Sequence, residues 1–257
     1  MAIYVLGDPH LSLSGEKPMD IFGNRWANHT QKIKNAWRQT VREEDTVVLA
    51  GDISWAMSLK DAEADLEFFH NLPGKKILLK GNHDYWWETS AKMNRFFEER
   101  KWDDFFILFN NSYEVEGLTL CGTRGWDVDC FDEQAQKMLP REMQRLEHSL
   151  ASAQGKGEKV VFFHHPPISD AHDPFLPILK KFGVHRVYYG HLHGGKAIHT
   201  KPFCKNGIKY TLISADALGF KPLEIEQKMS KKAKMQQICQ KIKENWMKVL
   251  SQFGSKC

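Results

Sequence analysis

Lys76-Ile77-Leu78-Leu79-Lys80-Gly81-Asn82-His83-Asp84 sets a short apolar run, of the kind that forms a buried strand, directly before a cluster of residues able to ligate metals. The pattern returns four times. Asp8 and His10 follow Ala2 to Leu6, Asp52 follows Thr46 to Ala50, His164 and His165 follow Val160 to Phe163, and His191 and His193 follow Arg186 to Tyr189. One such cluster carries little weight. Five in step with strand ends place ligands from most of the chain on one rim of a sheet, where α/β folds put their sites.

Spacing and ligand type narrow the chemistry. Alternate side chains of an extended strand share a face, so Asp8 with His10 and His191 with His193 can each act as a pincer. Gly7, Gly51, Gly81 and Gly190, just before the ligands, suit sharp strand-to-loop turns. Aspartate oxygens, an asparagine carbonyl and imidazoles, with no cysteine in any cluster, favour manganese, iron or zinc over a thiolate site or calcium. Seven ligands exceed what one ion needs if it must also bind substrate. They suffice for two ions sharing one carboxylate.

The ordered set Asp8-Pro-His10, Gly51-Asp52, Gly81-Asn82-His83-Asp84, His164-His165-Pro-Pro and Gly190-His191-Leu-His193 closely resembles the signature of the calcineurin-like metallophosphoesterases, over about residues 1 to 216. The resemblance implies a four-layer αββα sandwich of two mixed sheets with helices outside. It implies one ion held by Asp8, His10, Asp52 and His193, and a second by Asp52, Asn82, His164 and His191. His83 would be the general acid at the leaving-group oxygen, or would stabilise charge there, with Asp84 fixing its orientation. The expected activity is hydrolysis of a phosphate mono- or diester by attack of metal-bound hydroxide, the substrate being a small molecule or nucleotide. The rival expectation is a catalytically weak metal-binding interaction module of the same fold, its C-terminal helix recruiting a partner.

Other residues keep two readings. His165 could touch substrate or only stabilise its loop. Arg124, in Gly122-Thr123-Arg124-Gly125-Trp126, could clamp a phosphate or form a surface ion pair. His172 sits on a loop where a substrate-binding role competes with simple solvation. Tyr85, Trp86 and Trp87 could wall the site or pack in the core. His29, His70, His148, His185 and His199 are expected to be structural.

Composition bounds the rest. At 257 residues and 42% hydrophobic content the chain can bury a sizeable core, and no Pro/Gly/Ser-rich linker divides it. With no long apolar run and a first strand beginning at Ala2, neither membrane insertion nor a signal segment is expected, and a cytoplasmic location is. Five cysteines without CxxC spacing agree with a reduced compartment.

Expected helices are 25–43, 58–71, 89–101, 132–154, 174–182 and the tail. Expected strands are 2–6, 46–50, 76–79, 105–109, 112–116, 118–122, 160–163, 185–189, 197–201 and 208–214, with Asn206-Gly207 as a hairpin turn between the last two. A catalytic domain over 1–220 is followed by residues 221–257, which carry nine lysines against three glutamates, so the overall charge of +4 belongs to the tail and the remainder is net acidic. Ile238, Ile242, Trp246, Val249, Leu250 and Phe253 give that tail an amphipathic helical pattern. Docking onto its own domain, self-association or partner contact, and binding to an anionic surface compete for it.

Overall fold

The computed structural model describes residues 1–227 apart from positions 16, 156 and 196. The chain divides into two units, Met1–Ile225 and Glu226–Cys257, and every element below belongs to the first. The expected amphipathic helix, with Ile238, Trp246 and Phe253, lies outside the described residues. Residues 221–227 are described and contain no helix.

In chain order the first half contains β1 (Ile3–Leu6), α1 (His29–Thr40), β2 (Thr46–Ala50), α2 (Glu63–His70), β3 (Lys75–Leu79), α3 (Ser90–Glu99) and β4 (Phe105–Ile107). The second half contains β5 (Tyr113–Val115), β6 (Leu118–Thr123), α4 (Glu133–Ala151), β7 (Glu158–Phe163), α5 (Leu176–Lys181), β8 (Arg186–Tyr189), β9 (Phe203–Lys205), β10 (Ile208–Leu212) and β11 (Leu223–Glu224). Short 3₁₀ turns occupy Met19–Phe22, Asn24–Trp26 and Ala197–His199. One sheet has the order β11-β1-β2-β3-β4, the other β5-β6-β7-β8-β10-β9. Both sheets are mixed: in the first the edge strand β11 alone is antiparallel, and in the second both edge strands, β5 and β9, are antiparallel while the strands between run parallel.

The layers follow from period-two burial. Tyr4 and Leu6 of β1 pack with Val47 and Leu49 of β2 against Trp37 of α1, Leu66 and Phe69 of α2 and Met93 of α3. The alternate residues Ile3, Val5, Val48 and Ala50 face the other way, onto Leu120, Val160, Phe162 and Tyr188 of the second sheet. On the far side of that sheet, Cys121, Val161, Phe163 and Val187 pack against Leu146 and Leu150 of α4 and Phe175 and Leu179 of α5. Both faces of each sheet are therefore covered, which is why β2 reads Thr-Val-Val-Leu-Ala with no exposed residue. Three apolar interfaces separate four layers, the αββα sandwich expected from the sequence. A fully buried aromatic such as Phe162 in the middle interface stabilises the fold by about 3 to 5 kcal/mol relative to alanine.

Local chemistry sets the boundaries. Asp132 caps α4 by accepting from Ala135 N at 2.7 Å, and Thr89 caps α3 by accepting from Lys92 N. α1 begins at His29 rather than Arg25 because the preceding residues form the two 3₁₀ turns. The expected strand over 197–201 is not present. Ala197–His199 is a 3₁₀ turn, and the partner of β10 is β9 at Phe203–Lys205, paired so that Lys205 opposes Ile208 across Asn206-Gly207. Both turn residues have positive φ, 56° and 82°, so the two-residue turn fixes where each strand must end. β11, unread in the sequence, adds to the free edge of β1. Among the described residues no helix is long and apolar enough to cross a membrane.

Candidate metal centre

β1, β2 and β3 are parallel neighbours in one sheet, and β7 and β8 are parallel neighbours in the other, so the loops leaving their C-terminal ends gather at one edge of the sandwich. The sheets are joined there by main chain. Gly7 N donates to Ile213 O at 2.8 Å, and Ala215 N donates to Gly7 O at 2.9 Å. The five ligand clusters meet at this seam.

Asp8, His10 and His193 form one group, and Asp8, Asp52 and His164 another, with the ligand atoms in each lying within 4.8 Å of one another. His10 Nε2 is 3.2 Å from His193 Nε2, and Asp8 Oδ1 is 3.4 Å from His193 Nε2. Asn82 Oδ1 is 2.6 Å from His164 Nε2. Asp52 faces both sides: Oδ2 is 3.6 Å from His10 Nε2, and Oδ1 is 3.4 Å from His164 Nε2. His191 groups with His164 and His165 rather than with His193.

The pincers expected from strand alternation take a different form. Asp8, His10, Asp52 and His191 all have left-handed backbone, with φ of 55°, 46°, 50° and 70°. Such conformations are uncommon for side-chain-bearing residues and cost roughly 1 to 3 kcal/mol each, which the surrounding structure must offset. The turns divide neighbours between groups, sending His191 towards His164 and His193 towards His10. Two glycines are required by close approach. A Cβ on Gly81 would lie 2.1 Å from Asp52 Oδ1, and one on Gly190 would lie 2.3 Å from Asp8 Oδ2.

Residues behind the ligands hold them in place. His193 Nδ1 faces Asp216 Oδ1 at 3.0 Å, and Gly194 N donates to Asp216 Oδ2 at 2.9 Å. The Trp55 ring stacks on His10 with centroids 4.9 Å apart and meets His83 at 4.5 Å. Neither Asp216 nor Trp55 was picked out from sequence. Asp216 lies two residues past the expected strand 208–214, the offset of Asp8 and Asp52 from theirs, so the same strand-end pattern marks it.

Asp84 departs from its expected role of orienting His83. Its buried carboxylate accepts from Ile53 N at 2.8 Å, Ser54 N at 3.2 Å, Gly81 N at 2.7 Å and Trp86 Nε1 at 3.0 Å. It ties the Asp52 loop to the Asn82 loop. His83 is instead engaged by Asp52, with Nδ1 at 2.7 Å from Oδ2 and its amide donating to Oδ1 at 2.7 Å. At 33% side-chain exposure His83 opens to solvent, as His193 does at 27%, beside the buried Asp8, His10, Asp52 and His164.

His165 is buried against His191, with ring centroids 4.2 Å apart, and neither of its ring nitrogens has a hydrogen-bond partner among the described residues. Arg124 lies over Trp126 and 3.5 Å from the fully buried Glu142, so its ion pair is not a surface one. The exposed His172 pairs with Asp129 at 2.8 Å and contacts none of the clustered ligands. Trp86 is core, Trp87 packs on it, and only the exposed Tyr85 borders His83. His29 is structural, its Nε2 3.2 Å from His10 O.

Electrostatics divide the histidines. Burial pushes His10 down to about 3 and His165 to about 2, and lowers His191, so all three are neutral near pH 7. His193 goes the other way, to about 10, because hydrogen bonds to Asp216 and Asp8 outweigh its burial. Burial alone would raise Asp8 and Asp52. Asp8 is nonetheless held low by the His193 hydrogen bond and the His164 charge, and Asp52 by His164 and the His83 hydrogen bond. Asp84 rises to about 6, through burial and the nearby Asp52. The neutral His10 and His191 beside the ionised Asp8 and Asp52 form a donor set suited to borderline divalent cations, which His193 joins on losing its proton.

Fold and site together define an αββα protein with a cluster of carboxylate and imidazole metal donors at the sheet edge. The family model for calcineurin-like phosphoesterases matches residues 1–195, and the chain belongs to that family. No curated protein matches the sequence. Among solved structures, a phosphopantetheinyl hydrolase from Mycobacterium tuberculosis is similar at 11% identity and a TM-score of 0.53, over 89% of this chain and 98% of that one. A protein of unknown function from Aquifex aeolicus is similar at 16% identity and a TM-score of 0.46, over 87% and 95% of the two chains. The first likeness is one of fold.

Proposed function

We propose that this chain is a dimetal phosphoesterase that hydrolyses a phosphate mono- or diester of a small molecule or nucleotide. The observation that carries the proposal is the position of Asp52, whose two oxygens face His10 on one side and His164 on the other. Asp8, His10, Asp52 and His193 would hold one ion, and Asp52, Asn82, His164 and His191 the other, the metals being manganese, iron or zinc. Oxygen and imidazole donors without thiolate fit such ions. Bound there, two ions would neutralise charge on the phosphoryl oxygens and make a water acidic enough to serve as nucleophile near neutral pH.

The chain's own residues supply the rest. His83, on the open side of the cluster and steadied by Asp52 and the Trp55 ring, gives a proton to the departing oxygen. Asp216 fixes which nitrogen of His193 faces inward. Asp84 keeps the Asp52 and Asn82 loops in register.

The test is hydrolysis of a paired aryl phosphomonoester and aryl phosphodiester by metal-stripped protein, before and after reloading with manganese. Hydrolysis that appears only on reloading supports the proposal, and the preferred ester separates phosphatase from phosphodiesterase. Inactivity on both esters with metal bound counts against it.

A further inference from the structure

Directly beside the metal centre lies a cavity of about 540 Å³ whose wall includes Lys80, Arg124, Arg145 and Glu142. Among the described residues none of the clustered ligands lines it, but two of its wall residues adjoin their loops. Lys80 precedes Gly81-Asn82, and the Arg124 carbonyl accepts the amides of His164 at 3.1 Å and His165 at 2.9 Å. The cavity therefore adjoins the Asn82 and His164-His165 loops through main chain.

Its charge is unbalanced. Glu142 is fully buried and takes Arg145 Nη1 at 2.5 Å, Arg124 Nη2 at 3.5 Å and the Thr123 hydroxyl. One carboxylate thus serves two guanidinium groups, and Lys80 has no ion-pair partner among the described residues. The other acidic lining residue, Glu88, is engaged by Lys92 at 3.1 Å. Arg124 Nε is buried without a hydrogen-bond partner among the described residues.

Each guanidinium lies over an aromatic ring. Arg124 lies 4.8 Å from the Trp126 ring centroid and Arg145 5.2 Å from that of Phe109. Thr89 and Ser90 bring the N-terminal end of α3 to the same wall, adding its partial positive charge. Excess positive charge that is partly buried in this way is costly without an anion opposite it.

We propose that this cavity binds a second phosphate group of the substrate, so that the ester cleaved at the metal centre carries a further phosphate on its leaving portion. Two uncompensated positive charges match a phosphomonoester dianion, and paired guanidinium groups suit its oxygens. Lys80, Arg124 and Arg145 contact that phosphate, and Glu142 positions the two arginines. The proposal deepens the phosphoesterase reading and rests on it for the direction in which the substrate lies.

The test is calorimetric binding of propanediol and hexanediol bisphosphates, each against the matching alkyl monophosphate, to the full chain loaded with manganese. At least one bisphosphate should bind about tenfold more tightly than its monophosphate, as expected of added charge-assisted hydrogen bonds. Lys80→Gln and Arg145→Gln should each bring that ratio towards one, while Arg145→Lys keeps most of it. Melting curves identify any variant that fails to fold. Equal affinities in the wild type, or a ratio unchanged in both folded glutamine variants, would overturn the proposal. A Lys80-dependent preference in a protein that hydrolyses no aryl ester would sink the phosphoesterase reading and leave the cavity's phosphate site standing. Hydrolysis without the preference would do the reverse.

Discussion

Asp216 Oδ1 lies 3.0 Å from His193 Nδ1, while the other carboxylate oxygen accepts the Gly194 amide. The carboxylate thereby turns Nε2 of His193 towards Asp8 and His10 and raises its basicity. Outer partners of this kind typically contribute about 10- to 100-fold to metal affinity. Asp216→Asn is expected to weaken metal binding by about that factor, as read by chelator competition, and to lower the melting temperature of metal-free protein near neutral pH as the charged pair is lost. Unchanged affinity would mean that the pair is only structural.

His193 also sets a pH dependence. Its folded value is raised from 6.5 to about 10, so in metal-free protein the imidazolium contributes stability fully present below pH 6.5 and lost as pH rises through about 10. A coordinating imidazole must be neutral, so metal has to displace this proton. Metal-free protein should therefore melt at progressively lower temperature between pH 7 and 10. Loading at pH 7 should release about one proton per chain from this residue, measurable by titration in buffers of differing ionisation enthalpy. Proton release that persists undiminished in Asp216→Asn would contradict this assignment.

Asp84 offers a separation of roles. Removing its carboxylate leaves the amides of Ile53, Ser54 and Gly81 without their acceptor, at about 1 to 3 kcal/mol for each buried group left unpaired. Asp84→Ala is thus expected to lower stability in chemical denaturation by about 3 kcal/mol or more and to weaken metal binding with it. A variant as stable as wild type that loses only turnover would restore the orienting role expected from sequence.

For His83, general acid catalysis makes a differential claim. His83→Ala should lower turnover by about 10² to 10⁴ on an alkyl ester, whose leaving group needs the proton, and far less on an aryl ester, with metal content unchanged. Equal losses on both substrates would assign His83 to charge stabilisation or loop structure.

The close approach at Gly190 gives a steric test. Its added Cβ would sit 2.3 Å from Asp8 Oδ2, so Gly190→Ala must displace Asp8 or the His191 loop. A cost of about 1 to 3 kcal/mol, as for overpacking elsewhere, is expected together with loss of metal. Retention of full metal content would show that Asp8 can yield without leaving the cluster.

Much of this centre was legible in the sequence because strand ends are marked by a change from apolar runs to Gly-Asp, Gly-Asn-His or Gly-His, and parallel strands in one layer must end at one edge. The unbroken apolar runs of β1 and β2 likewise announce two covered faces. Other features depend on tertiary context. The left-handed backbone at Asp8, His10, Asp52 and His191 has no signal in residue type, and it sends His191 and His193 to different groups despite their alternation. Ala197 to Lys201 carries the β-branched Ile198 and Thr200 and reads like a short strand, but Pro202 and the two-residue turn at Asn206-Gly207 place the true strand at Phe203–Lys205. Asp84 follows His83 directly, yet its chain direction carries it into the interior, where three amides and an indole already await an acceptor.

The most direct measurement is the metal content and ester hydrolysis of wild-type protein and Asp52→Asn, purified and reloaded identically. Two ions per chain with hydrolysis in the wild type, and loss of at least one ion together with activity in the variant, are expected of a carboxylate shared between two sites. Equal metal content and equal hydrolysis in the two proteins would contradict the shared role of Asp52, and the dimetal mechanism with it.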